Sequence, residues 1–185
     1  SIFAAQFLKM NRYLNPFMLT LFLLTAVLPS CKYPTEYKAV NVENKFSMNV
    51  PPWVKEEDDL EPGAELQYAN RFRNFYIICQ SFNKADIKRA PADMMHDNLN
   101  RLRTALKNPL VTDSADVDIN GVSGLRAEIF GKMGKTDAEE NIYYSEVVLE
   151  GKERFYHISV WTRGEDRKLR YKDDINKTIS SFKEL

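Results

Sequence analysis

The run from Phe72 to Phe82 (FRNFYIICQSF) is dense in aromatic and β-branched residues and carries apolar side chains on both of its faces. Such side chains suit a pleated surface, so the run reads as a strand. A strand with one wet face alternates apolar and polar residues, whereas one without that alternation needs a layer packed on each side. The chain is therefore expected to place this strand inside a sheet and to cover both faces. Leu66 to Ala69 provides a strand on the other side of Asn70-Arg71. Cys79 lies within the apolar run with no cationic neighbour in sequence, which is the setting of a small buried hydrophobe rather than a reactive thiol.

The remaining segments supply the layers. Phe46-Ser47-Met48-Asn49-Val50 alternates as a half-buried strand and is ended by Pro51-Pro52 before Trp53. Glu56, Glu57, Asp58, Asp59 and Glu61 form an acidic stretch closed by Pro62-Gly63, read as a solvated loop. Pro91 suits the first turn of a helix, and Met95, Leu99, Leu102 and Leu106 recur at helical spacing until Asn108-Pro109. Ile119-Asn120-Gly121-Val122 carries the strongest hairpin dipeptide, and Gly124 to Phe130 continues as a strand with Leu125, Ala127 and Ile129 on one face. Tyr171, Ile175, Ile179 and Phe182 form the stripe of a terminal helix with Glu165 and Asp166 near its start. Strands, helix, strands and helix in that order predict an α+β fold, an antiparallel sheet with helices packed on it.

A further hairpin joins Ile142–Leu149 to Arg154–Thr162 through a turn at Gly151. A two- or four-residue connection there places Glu146 opposite His157 and Val147 opposite Tyr156. Tyr144, Glu146, His157 and Trp161 then share one face of the sheet. They are expected either to form a satisfied cross-strand pair or to line a ligand groove.

The amino-terminal segment bears on location. Lys9 and Arg12 precede a twelve-residue apolar stretch, Phe17 to Leu28, which is shorter than a membrane-spanning helix and has the length of a signal-peptide core. It runs into Leu28-Pro29-Ser30-Cys31, which resembles the bacterial lipobox, with Pro29 departing from the usual small residue. In that motif the cysteine thiol takes a diacylglycerol group and the small preceding residue lets a peptidase reach the bond. Residues 1–30 are accordingly read as a signal peptide, with Met10 as the expected start of translation. Cys31 is read as the lipidation site, residues 31–43 as a tether, and residues 44–185 as one domain. Cleavage removes only Lys9 and Arg12 from a chain in which 26 basic and 26 acidic residues cancel, so bulk charge does not favour nucleic acid. Cys31 and Cys79 are not expected to pair.

Catalytic motifs are sparse. Asp116-Val117-Asp118-Ile119-Asn120-Gly121 matches the first half of a calcium loop, but Ala127 stands where a bidentate glutamate is required, so the segment reads as a hairpin. Gly121-Val122-Ser123-Gly124-Leu125 lacks the second glycine of a nucleophile elbow at its proper spacing. His96 and His157 are too far apart for a helix-borne zinc pair. No phosphate-binding glycine loop is present. No cofactor and no metal site are expected.

Phe46-Ser47-Met48-Asn49-Val50-Pro51-Pro52-Trp53, the Ile119-Asn120-Gly121 turn, Tyr156-His157-Ile158-Ser159-Val160-Trp161 and the closing Ile179-Ser180-Ser181-Phe182-Lys183 together resemble the PsbP-like family. That fold is shared by the photosystem II extrinsic protein, a small Ran-binding import protein and DcrB-type bacterial lipoproteins. The resemblance covers about residues 41–185 and implies an α/β/α sandwich with a non-enzymatic role in binding or assembly. The expectation is a monomeric envelope lipoprotein, not an enzyme, anchored to a bacterial membrane through Cys31 and partnered by an envelope protein or small ligand. The alternative is an envelope hydrolase using carboxylates and a histidine that the sequence does not place.

Overall fold

A computed structural model describes residues 35–134 and 139–185 of the chain, so the signal-peptide segment and Cys31 lie outside the described residues. The described residues belong to one compact unit. Its elements are β1 (Lys38–Val42), β2 (Phe46–Val50), β3 (Lys55–Glu56), β4 (Leu66–Asn70), β5 (Phe75–Asn83), α1 (Pro91–Ala105), β6 (Lys107–Ile119), β7 (Val122–Met133), β8 (Glu140–Glu150), β9 (Arg154–Arg163), α2 (Arg167–Ser180) and β10 (Lys183–Glu184). Seven strands form an antiparallel sheet in the order β3-β4-β5-β9-β8-β7-β6, and β1-β2-β10 form a small second sheet. The strand singled out by its two apolar faces is β5, held between β4 and β9.

Each face of the large sheet has its own core. On one side Phe75, Ile77 and Cys79 of β5, Val147 and Leu149 of β8, and Ile158 and Val160 of β9 meet β2 and α2. Phe46, Met48 and Val50 point inward from β2, as their alternation predicts, and α2 contributes Tyr171, Ile175 and Ile179. Two aromatic groups close this layer. Trp53 packs on Phe75 at 4.9 Å and Tyr171 at 5.5 Å, and Tyr156 packs on Phe182 at 4.8 Å and Phe46 at 5.8 Å. On the opposite face Met94, Met95, Leu99 and Leu102 of α1 cover Ala127, Ile129, Ile142, Tyr144 and Val148. The molecule is thus an α+β sandwich in which the large sheet carries α1 on one side and α2 with the small sheet on the other.

The Asn-Gly turn forms as expected, with Asn120 at φ 53° and Gly121 at φ 85°, the positive values a two-residue hairpin turn demands. Asp118, the last carboxylate of the half calcium motif, accepts the Gly121 backbone N–H at 3.0 Å, so its oxygen is used inside the turn.

Several expectations need correction. A strand, β1, begins at Lys38, ahead of the Asn44 boundary read from the sequence, because Val40 and Val42 give it an inward face and pair it with Met48 and Phe46. Phe72 belongs to the turn before β5 and is 95% exposed. The helix α2 ends at Ser180, and Phe182 packs into the core from the segment leading into β10. The sequence pattern marks no strand before Ile119, yet β6 begins at Lys107, immediately after α1.

Candidate functional site

The four residues expected to share a face do so, on the α1 side of the sheet. The register, however, is two residues away from the expected one. Val148 stands opposite His157, Glu146 opposite Ser159, and Tyr144 opposite Trp161, because the connection leaves Glu150 paired with Phe155. An even shift leaves every side chain on its original face, which is why the set survives while the partners change. His157 still meets Glu146 along the diagonal, with Nε2 2.6 Å from Oε2. The other carboxylate oxygen, Oε1, accepts the hydroxyl of Ser159. All three are buried: 2% exposure for Glu146, 3% for His157 and 4% for Ser159.

The order of these groups decides what they can do. A serine nucleophile requires the imidazole between hydroxyl and carboxylate, so that the base takes the hydroxyl proton. Here Glu146 is in the middle and the hydroxyl is spent on it. The arrangement satisfies a buried carboxylate, as a charge in an apolar setting requires, and provides no activated nucleophile. Sequence reasoning missed Ser159, since a serine on a mixed strand carries no signal until the cross-strand partner is known.

Beside the network the aromatic side chains form a ladder. Tyr76 stacks on Trp161 at 5.1 Å with an interplanar angle of 10°, and Trp161 on Tyr144 at 5.7 Å and 25°. Burial, then the nearby Glu146 carboxylate, pushes the Tyr144 hydroxyl up to about 12. Next to this ladder is a groove of about 470 Å³. Gln80, Phe82 and His157 form its floor, Asp97 and Arg101 of α1 one wall, and the segment carrying Arg89 another. The acidic stretch folds close by. The side-chain oxygen of Gln67 accepts the backbone N–H groups of Leu60 and Glu61 at 2.9 and 3.0 Å, and Arg101 reaches the Glu61 carboxylate at 3.1 Å. A groove with a rim of both charges and a floor that mixes one aromatic ring with an amide and an imidazole suits a small polar ligand or a peptide segment.

A second cleft, of about 480 Å³, lies on the opposite face beside α2. Arg126 and Glu128 of β7 project into it with Lys168, Lys172 and Asn176 of α2. Arg126 donates to Asn176 Oδ1 at 3.0 Å, and Lys168 lies 2.6 Å from Glu128. Burial raises the Glu128 carboxyl, but Lys168, Tyr143 and Arg126 outweigh it and hold it below the usual range. The available signal was two charged residues, Arg126 and Glu128, on a strand face whose next member is Phe130. Among the described residues no three His, Cys, Asp or Glu side chains gather as metal ligands, and no helix is long and apolar enough to cross a membrane.

Neither a protein-family model nor a curated protein sequence matches this chain. Solved structures do. The chain is similar to cyanobacterial PsbP (CyanoP) from Synechocystis sp. PCC 6803, with 14% identity and a TM-score of 0.58 over 85% of this chain and 99% of that one. It is similar to the Ran-binding protein Mog1p of Saccharomyces cerevisiae, with 12% identity and a TM-score of 0.55 over 81% and 96%. It is also similar to LpqN, involved in cell envelope biogenesis of Mycobacterium tuberculosis, with 13% identity and a TM-score of 0.53 over 81% and 91%. At these identities the likeness concerns architecture, and the architecture of this chain is the PsbP-like α+β fold.

Proposed function

We propose that this protein is a lipid-anchored envelope module that binds a protein segment or small ligand without catalysis, using the groove between α1 and the β5–β9 face. The observation that carries the binding reading is the groove itself, whose floor residue His157 is held in place by the buried Glu146. A side chain pinned by a buried partner presents a pre-organised surface and loses little freedom on binding. Anchoring is supported by the short apolar stretch ending at Leu28-Pro29-Ser30-Cys31, and a fold also used by an envelope-biogenesis protein is compatible with it. The carboxylate-centred order of Ser159, Glu146 and His157 argues against the hydrolase alternative.

Two measurements test this reading. Cys31→Ser should abolish acyl labelling and move the protein out of the membrane fraction; continued acylation of that variant would overturn the anchor. A photo-crosslinking side chain at Asn98, on the groove wall, should give a discrete adduct in native membranes that the same group at Lys152 does not. Equal labelling patterns from the two positions would remove the groove from the proposal.

A further inference from the structure

We infer that the groove over His157 takes one residue of an extended peptide, whose N–H is accepted by His157 Nδ1 and whose carbonyl is bound by the Gln80 amide. This rests on the groove reading above and names the chemistry of its ligand. The observations behind it are two uncommitted polar groups on the groove floor and a rim whose charges cancel.

His157 is 3% exposed, yet only one of its ring nitrogens is used. Nε2 lies 2.6 Å from Glu146 Oε2, and Nδ1 makes no hydrogen bond among the described residues. Nor is Nδ1 sealed in the core. The side-chain atoms buried there without a partner are Thr162 Oγ1, Arg163 Nε and Thr178 Oγ1, so Nδ1 opens to the groove that the ring lines. An uncharged imidazole has a single N–H. Donated from Nε2 to the carboxylate, it leaves Nδ1 a bare acceptor, and Glu146 holds the ring in that orientation.

Gln80 of β5 stands directly opposite His157 of β9 and lines the same floor. Side chains paired in this way share a face, with Cβ atoms about 4.5–5.5 Å apart. The Gln80 amide makes no hydrogen bond among the described residues. Its nitrogen lies beside Gly63, where an added Cβ would come within 3.1 Å, so the missing side chain leaves the amide room. The floor therefore offers an acceptor and an amide donor side by side, with the Phe82 ring two residues along β5.

The rim selects against ions. Arg89 pairs with Asp97, Arg101 pairs with Glu61, and Asp86 and Lys88 offset one another two residues apart. Such a rim gives an ion no net attraction, and the lone pair on Nδ1 repels an anion. What fits is an uncharged group with both an N–H and a carbonyl. In a primary carboxamide the two are attached to one carbon and meet a single neighbour. In an extended residue they point to the same side and are spaced to meet two groups, as in the hydrogen-bonded pairs of an antiparallel ladder. The separation of His157 and Gln80 across two strands matches the extended residue.

The test titrates the full chain in detergent with N-acetylalanine N′-methylamide, a single residue carrying both groups, and follows the imidazole nitrogens by NMR. The chain has two histidines, and His96→Gln, outside the groove lining, leaves His157 alone to be read. The free protein should carry its imidazole proton on Nε2, and the blocked residue should shift the Nδ1 resonance saturably. Gln80→Ala and the shape-conserving Gln80→Glu, which lacks the N–H, should each weaken this binding about fivefold, the loss of one hydrogen bond. A lone proton on Nδ1 in the free protein, no saturable shift, or an affinity unchanged in both variants would overturn the inference. So would acetate or acetamide binding as tightly, since acetate would make this an anion site and acetamide a site for a small carboxamide. The titration needs no native partner, so its outcome separates from that of crosslinking at Asn98. An adduct at Asn98 without binding of the blocked residue removes this chemistry and keeps the groove; binding without an adduct keeps the chemistry and removes the envelope partner.

Discussion

Replacing Glu146 with Ala removes the one group that satisfies both Ser159 and His157, which are themselves buried. The partners then lose that bond, and each buried polar group left unpaired costs about 1–3 kcal/mol. The expected result is a loss of several kcal/mol in the denaturant midpoint, with Glu146→Gln milder because an amide retains an acceptor. A variant as stable as the parent would show that the network is not closed. Glu65 gives a pH-dependent counterpart on the other side of the molecule. Burial raises its carboxyl, but hydrogen bonds from the Ser81 hydroxyl and backbone, together with Lys45 at 3.1 Å, outweigh burial and hold it below the usual value. A carboxyl depressed in the folded state contributes stability above its unfolded pKa and loses it as pH falls through the folded one. Glu65→Gln should therefore be less stable than the parent near neutrality, and the gap should close in acid. A gap constant from neutral to acid pH in parallel urea titrations would contradict this.

Turn chemistry governs several elements. Asn120 both adopts the left-handed backbone of the β6–β7 turn and donates its amide to the carbonyls of Ser180 at 3.0 Å and Phe182 at 2.7 Å. It thereby fastens the end of α2 and the start of β10 to the large sheet. Asn120→Ala loses both bonds and adds backbone strain, so a destabilisation of about 1–3 kcal/mol is expected, with faster amide exchange around Phe182. Unchanged exchange there would mean that β10 is held by its ladder alone. The sequence identified this turn from its dipeptide, but not its second role, because the Ser180 and Phe182 carbonyls come from sixty residues away. Gly124 tells a similar story one strand later. An added Cβ would lie 2.1 Å from the Val148 carbonyl oxygen, so Gly124→Ala forces β7 away from β8 and should cost more than an ordinary overpacking of about 1–3 kcal/mol. A thermal midpoint equal to the parent's would refute that close approach.

At the scale of the whole domain the informative comparison is between a chain beginning at Thr35 and one beginning at Asn44. The first retains β1; the second strips the outer strand, Val42 included, from the small sheet and leaves the edge of β2 unpaired. The chain from Thr35 should be clearly the more stable, because losing β1 exposes apolar surface worth about 25 cal/mol per Å² and leaves the β2 backbone unpaired. Equal melting temperatures for the two would restore the later boundary.

Local pattern decided what could be decided locally. Alternation, helical spacing, Pro91 and Asn120-Gly121 settled the identity and faces of most elements, because side-chain direction follows from backbone period alone. The face shared by Tyr144, Glu146, His157 and Trp161 was legible for that reason. Which of them touch was not, because register depends on how the β8–β9 connection closes, and parity is blind to a shift of two. Ser159, the charged cleft around Arg126 and Glu128, and the exposure of Phe72 were likewise decided only by tertiary structure. Each depends on which distant segments the sheet brings side by side, and no spacing along a single strand records that.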